Sequence, residues 1–353
     1  MAWRGFLVKV PGPLQPAWHS FLPWSLLPWK LLSALGRRRR QSGQYNRHTL
    51  LCLYLAARKH PSPLNLFHYL RFRRDLGRRP SARLTRALLS QSDSLPEPMR
   101  ELAGGWLLEH EEHKRAKEAM TRPSDSMSIP DELQQLRLSQ PHLRDAFAAY
   151  LLKHRGSICV VGNGPLGTHS DLARRIDRHR VVIRFNAFWE TQRPSAAPGQ
   201  SGIESSTGGS PRGSRLDVWV RSPGHAADAS SATGDPQWFI LTGPDVRFHL
   251  LYGQEVLSRV VPGKTLTVPL RTWRRLVEVL EAPPSAGLLV LAWLKELLGD
   301  WDGLNATGFQ ILGAKSKASA RRGGLRRTRD RHHWQAEARV LQQWRREGLR
   351  FLE

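Results

Sequence analysis

The chain has 353 residues, enough for one large or two modest domains and for a substantial core. Hydrophobic residues at 40% with 24% charged exclude a wholly disordered polymer, and only two cysteines, Cys52 and Cys159, exclude a disulfide-stapled secreted scaffold and agree with a reducing compartment. The formal net charge of +24 comes almost entirely from arginine, since ten of the 54 basic residues are lysine; it implies phosphate-rich company without choosing among nucleic acid, an anionic membrane surface and a nucleotide-linked substrate.

Residues 1–40 are rich in tryptophan and end in four arginines, Arg37–Arg40. A spanning helix needs about 20 mostly apolar residues, and Pro23, Pro28 and Lys30 interrupt the only candidate run. Trp18, Trp24 and Trp29 beside the arginines fit an interfacial segment docked on anionic lipid. Packing of the same tryptophans against the protein is the other reading.

From 41 to 122 apolar residues recur at three- and four-residue spacings in HTLLCLYLAARK, Leu64 to Leu76 and Met99 to Met120, broken by Pro61/Pro63, Pro80 and Pro96/Pro98, which predicts a helical N-terminal region. The stretch EHEEHKRAK at 109–117 reads as a solvated, ion-paired helix face rather than a metal site. After a polar link, another amphipathic helix is expected at about Leu133 to His154. The boundary is set near Arg122, leaving 123–353 as the second domain.

Beyond 155 short β-rich runs alternate with helical ones, the pattern of an α/β sheet. Strands are predicted at Ser157–Val161, Val181–Phe185, Leu216–Val220, Trp238–Leu241, Thr265–Val268, Ala306–Phe309 and Leu349–Leu352. A Ser/Gly/Pro-rich insert at 192–215 and a basic stretch, Lys315 to Arg331, are expected to be mobile.

The most informative stretch begins at Ser157: SICVVGNGPLGTHSDLARRIDRHRVVIRFN. A strand ends at Val161, and Gly162, Asn163 and Gly164 open a turn before a helix expected at Ser170–Ile176. Glycine there permits close backbone approach, so amides can face a phosphate. The letters satisfy G-x-G-x-x-G, and Arg184 could hold a 2′-phosphate in a dinucleotide site. Against that reading, Pro165 removes an amide from the cradle, and Asn186 stands where an acidic residue would close the second strand.

The run Cys159 to Pro165, with Ile176-Asp177 and Val182 to Asn186, resembles the large sialylmotif of glycosyltransferase family 29, the sialyltransferases. Pro284-Ser285-Ala286-Gly287 resembles the small sialylmotif, Gly308-Phe309 matches the Gly-Phe that follows it, and His332 to Glu337 resembles the very-small motif of His, four residues, Glu. The resemblance spans about 155–353 and implies a GT-A-like α/β fold, a Rossmann-like mostly parallel sheet flanked by helices. It further implies transfer, with inversion and without a metal or other cofactor, of sialic acid or a related 2-keto sugar acid from a CMP-activated donor to a glycan or glycolipid acceptor. Gly162, Asn163, Gly164, Asn186, Ser285 and Gly287 would bind CMP, and His332 would be the general base, with His333 and Glu337 in support. Each also has a plain structural reading: loop capping for the asparagines, an N-cap for Ser285, packing for one of the two histidines.

Ala286 replaces the motif's usual threonine, Lys315 to Arg331 lacks the His-Tyr-type third motif, and Cys52 lies outside the positions that pair with Cys159 in animal members. The missing disulfide partner points to a microbial-type, cytoplasmic relative, and the Trp/Arg-rich segment to a peripheral place on the inner face of the membrane. The departures also motivate an alternative, a degenerate noncatalytic member of a glycan-assembly complex; an NADP-linked oxidoreductase is a further one. Nucleic acid is not the expected partner, because the motifs assign phosphate recognition to neutral Asn, Ser and backbone groups. Asp300-x-Asp302 reads as a solvated turn rather than a metal-binding pair.

Overall fold

A computed structural model of the chain describes residues 24–97, 99–100, 102–104, 106–107, 131–164, 166, 171–186, 213–221, 236–243, 263–309 and 332–352. Trp18, the 109–117 stretch, Pro165, most of the 192–215 insert and Lys315 to Arg331 lie outside them.

Seven strands form one parallel sheet: β1 (Ile158–Val161), β2 (Val181–Phe185), β3 (Val218–Arg221), β4 (Trp238–Leu241), β5 (Thr265–Thr267), β6 (Leu304–Thr307) and β7 (Arg350–Phe351), in the order β5-β4-β3-β2-β1-β6-β7. Every residue of β1 and β2 is buried, as expected of parallel strands covered by helices on both faces. All seven expected runs become strands, two with the expected ends and the others with ends shifted by one or two residues. The chain steps outward from β1 to β5, then returns to the other side of β1 as β6. The crevice between β1 and β6 is therefore the topological switch point, where open α/β sheets bind ligands.

The N-terminal region folds as α1 (Trp29–Gln41), α2 (Arg47–Lys59), α3 (Pro63–Asp75) and α4 (Ala82–Leu89), with further helical residues within 97–107. Local chemistry sets the starts. The Asn46 side chain accepts from Thr49 N–H, and Ser62 accepts from Asn65 N–H with Pro63 at the first helical position. Helix α1 was not expected; it begins directly after Pro28, whose fixed φ suits a helix entrance.

Several side chains in the described part of this segment pack on the protein, as the second of its two readings expects. Trp24 lies against Leu32, Cys52 and Ala56, and Trp29 stacks on His60 with ring centroids 4.1 Å apart. Arg39 donates to Thr49 Oγ1 at 3.3 Å, and Arg40 forms an ion pair with Asp75. Among the described residues no helix is long and apolar enough to cross a membrane.

One hydrophobic cluster runs from Tyr45, Phe67 and Trp106 of the N-terminal region through Ile158, Ile183 and Val220 of the sheet to Leu341 and Trp344. Backbone N–H of Tyr45 donates to the carbonyl of Glu281 at 2.7 Å, and Trp273 Nε1 donates to the carbonyl of Asp75 at 2.8 Å. Helix α5 (Asp131–Lys153) covers the β5 edge of the sheet: Gln140 Nε2 donates to the Thr265 carbonyl at 3.0 Å, and its Oε1 accepts from Thr267 N–H at 2.7 Å. The remaining helices are α6 (Leu172–Asp177), α7 (Leu270–Leu280), α8 (Ala286–Leu298) and α9 (Trp334–Arg346). Cys52 and Cys159 are buried free thiols in separate clusters, and burial pushes Cys159 up to about 12.

Candidate functional site

Val161 stands opposite Arg184 of β2 and Thr307 of β6, so the three central strands end level with one another. From β1 the chain leaves into Gly162, Asn163 and Gly164; from β6 it leaves into Gly308 and Phe309. Gly162 N–H donates to the Thr307 carbonyl at 2.8 Å and Gly164 N–H to the Gly308 carbonyl at 2.9 Å. A Cβ on Gly162 or Gly164 would sit 2.4 or 2.5 Å from the Gly308 carbonyl oxygen. Gly308 itself has φ +71°, and a Cβ there would sit 2.4 Å from the Gly162 carbonyl oxygen. The glycines therefore serve a close crossing of two backbones. The two amides expected to face a phosphate bond across the floor of the crevice in this structure.

The two asparagines both tie loops together. Asn163 is exposed, and its Nδ2 donates to the Phe185 carbonyl at 3.1 Å; the amide has a second hydrogen for a ligand. Asn186 ends β2 in the left-handed region at φ 50°, which asparagine tolerates better than most residues. Its N–H donates to the Val220 carbonyl at 2.8 Å, and its own carbonyl accepts from Trp219 Nε1 at 2.9 Å. Arg184 is fully buried, donates from Nε to the Arg215 carbonyl at 2.7 Å and faces Asp177 at 3.6 Å. It is a structural residue, not the 2′-phosphate ligand of a dinucleotide site.

A second group gathers where α7, α8 and α9 meet. Ser285 caps α8: its Oγ accepts from Leu288 N–H at 3.3 Å. Its own N–H donates to Glu337 Oε1 at 2.8 Å, and its Oγ–H donates to Glu337 Oε2 at 2.6 Å. Glu337, in the first turn of α9, is 4% exposed. Burial pushes its carboxyl up to about 7, against the two Ser285 hydrogen bonds that favour the charged form. His332 Nδ1 lies 2.8 Å from the Pro283 carbonyl and 4.0 Å from Glu337 Oε1. A carbonyl can only accept, so the neutral imidazole carries its hydrogen on Nδ1 and its lone pair on Nε2. His333 Nδ1 lies 3.3 Å from the Leu280 carbonyl at the end of α7, and the half-exposed Trp334 ring is 5.2 Å from that of His332.

Phe309 joins the two groups. A Cβ on Gly287 would lie 2.6 Å from Phe309 Cε1, and one on Gly162 would lie 3.3 Å from Cε2. Phe185 meets the same ring edge-on, with centroids 6.4 Å apart. The ring thus holds the start of α8 against the β1 loop, with the Ala286 and Gly287 amides at the open end of a helix whose third amide Ser285 caps. All nine candidate residues fall in these two groups. Sequence reasoning missed the Pro283 carbonyl, which sets the His332 tautomer, and the wedge role of Phe309. The second had a readable signal: a glycine at the end of β6 to match those at the end of β1.

Among the described residues no group of His, Cys, Asp or Glu could hold a metal ion. Asp300 and Asp302 form the turn into β6, with Asp300 paired to Arg155 and its Oδ1 accepting from Asp302 N–H at 2.9 Å.

No family model matches the chain, and no curated protein matches it in sequence. Among solved structures it is similar to a mammalian sialyltransferase in complex with Gal-beta-1-3GalNAc-ortho-nitrophenol, at 17% identity and a TM-score of 0.40, over 69% of this chain and 85% of that one. A second crystal structure of a mammalian sialyltransferase matches at 18% identity and a TM-score of 0.40, over 65% of this chain and 81% of the other. Both likenesses are low, and the chemistry of the site rests on this chain's own residues.

Proposed function

We propose that the chain is an inverting glycosyltransferase that moves a 2-keto sugar acid from a CMP-activated donor to a glycan hydroxyl. One observation carries the reading: residues of two sequence motifs, at Gly162 and Gly287, flank Phe309 at the carboxyl end of the β1–β6 crevice, and the third motif is tied to them by the Glu337–Ser285 hydrogen bonds. In this scheme His332 Nε2 takes the acceptor's hydroxyl proton while the acceptor oxygen bonds to the anomeric carbon. The bond from that carbon to the phosphate oxygen breaks, and its electron pair leaves with CMP. The Ala286 and Gly287 amides at the start of α8 and the remaining Asn163 amide hydrogen supply neutral donors for the departing phosphate. Glu337 acts by holding Ser285 and the α8 entrance.

The test is release of CMP from CMP-sialic acid or CMP-Kdo in the presence of a glycan acceptor panel. His332→Ala is expected to lower turnover about a hundredfold or more while leaving CMP affinity intact. Turnover that survives the substitution refutes the assignment of the base. A second reading is favoured by one feature, the use of the Gly162, Gly164 and Ser285 donors within the protein: a noncatalytic member that binds the donor without turning it over. CMP binding with no turnover across the full panel selects that reading.

A further inference from the structure

Away from this site, the turn after α3 meets the first turn of α7 and leaves an open groove of about 710 Å³ lined by Arg73, Arg78, Arg79, Arg271 and Arg274 with Gly77 and Leu270. The other end of α7, where Leu280 meets His333, lies six residues beyond Arg274, about 9 Å at 1.5 Å per residue. The groove is rigidly assembled. Gly77 has φ +70° and a Cβ there would lie 2.5 Å from Arg274 Cβ, so the turn is pressed directly on α7. Backbone N–H groups of Gly77 and Arg78 donate to the carbonyls of Arg74 and Arg73, and Trp273 Nε1 clamps the Asp75 carbonyl.

Positive charge in the groove exceeds the carboxylates around it. Glu296 serves Arg271 at 3.6 Å and Arg275 at 3.0 Å, Glu278 serves Arg274 at 2.9 Å, and Asp75 is paired with Arg40. Arg78 and Arg79 are exposed and have no carboxylate partner among the described residues, and Arg73 Nε is buried with no hydrogen-bond partner. Nearby Arg144 is pushed down to about 10, by burial first and by Arg271 second. Leu270 opens α7 with no side-chain cap and no acidic residue in its first turn, so the amides at that end add to the same field.

We propose that this groove binds a soluble ligand carrying two or more adjacent phosphate groups. Guanidinium forks match phosphate oxygens in pairs, and Arg78 and Arg79 stand beside Arg271 and Arg274 with charge that Glu296 and Glu278 do not balance. Among the described residues that line it there is no aromatic side chain to stack a nucleobase, and Leu270 is the one apolar side chain among them, too little to anchor in lipid. The site stands apart from the transfer chemistry proposed above and does not depend on it.

The experiment is calorimetric titration of the full chain with inorganic tripolyphosphate at physiological salt. One equivalent is expected to bind. Arg78→Ala/Arg79→Ala should weaken it about a hundredfold, roughly tenfold for each guanidinium removed from the phosphate oxygens. Arg274→Gln should weaken it about tenfold, and His332→Ala should leave it unchanged. The charge-matched control Arg346→Ala/Arg350→Ala, two exposed residues elsewhere, should change it less than about twofold. Because Arg78 and Arg79 are exposed, thermal melting should show both double variants folded. The proposal is overturned if the control weakens binding as much as the groove variant, if several equivalents bind alike, or if no tripolyphosphate binds. It is equally overturned if the groove arginines instead prove necessary for binding single-stranded RNA or phosphatidylserine vesicles while tripolyphosphate fails to bind.

Discussion

The two halves of the candidate site are separated by the width of one phenylalanine ring, and they are built from opposite materials. On the β1–β6 side the chain uses backbone: Gly162 and Gly164 bond to the Thr307 and Gly308 carbonyls, and the spacing leaves no room for a methyl group. On the α8–α9 side it uses side chains: a buried carboxylate, a hydroxyl and an imidazole held by hydrogen bonds of 2.6 to 2.8 Å. The first half is sensitive to volume and insensitive to pH. The second is sensitive to protonation, because its central acid titrates near neutrality. A site made this way separates shape from charge, and each can be disturbed without the other.

Gly308→Ala gives the largest expected effect. It combines left-handed backbone strain with a contact against a carbonyl that cannot withdraw, and should lower unfolding free energy by about 4 kcal/mol. Urea denaturation measures it; a loss below about 1 kcal/mol would mean that the two backbones separate easily. Next comes Glu337. Its folded pKa of about 7 lies above the ordinary 4.5, so the native state holds a proton that the unfolded chain has released between those values. The contribution of this group to stability therefore falls as pH rises through that window, by about 3 kcal/mol in all, and is level above it. Glu337→Gln should remove that slope, and an unchanged pH profile would place the carboxylate in a wetter setting. The smallest effect belongs to a control outside both halves: Asp300→Asn breaks a solvent-exposed pair with Arg155 and should cost less than about 0.5 kcal/mol.

Much of the fold could be read in the sequence because its signals were local. Val181–Phe185 and Trp238–Leu241 are short apolar runs between turn residues, and each becomes a strand with the expected ends. Helix α1 escaped because Pro23 and Pro28 break the apolar run and the tryptophans beside the arginines suggest a membrane surface, whereas a proline just before a helix starts it as readily as it stops one. In the site, residue identities were legible and their partners were not. Ser285 and Glu337 are 52 positions apart, and their bond depends on how α9 docks against the turn between α7 and α8. Taken with one strand end alone, the glycines at 162 and 164 suggest a phosphate loop. Their reason lies at 308, on a strand that is a neighbour only after the chain has travelled out to β5 and back.

The amide of Gln140 meets the outer edge of the sheet as a peptide group would, with one donor on Thr265 and one acceptor for Thr267. A single side chain thereby imitates a stretch of an eighth strand, and Arg144 continues it by donating from Nε to the Thr267 carbonyl at 3.0 Å. An open parallel sheet invites growth by adding strands from another molecule. Here that growth is stopped at β5 by groups that already occupy the template, which directs any self-association of this protein to surfaces other than that edge.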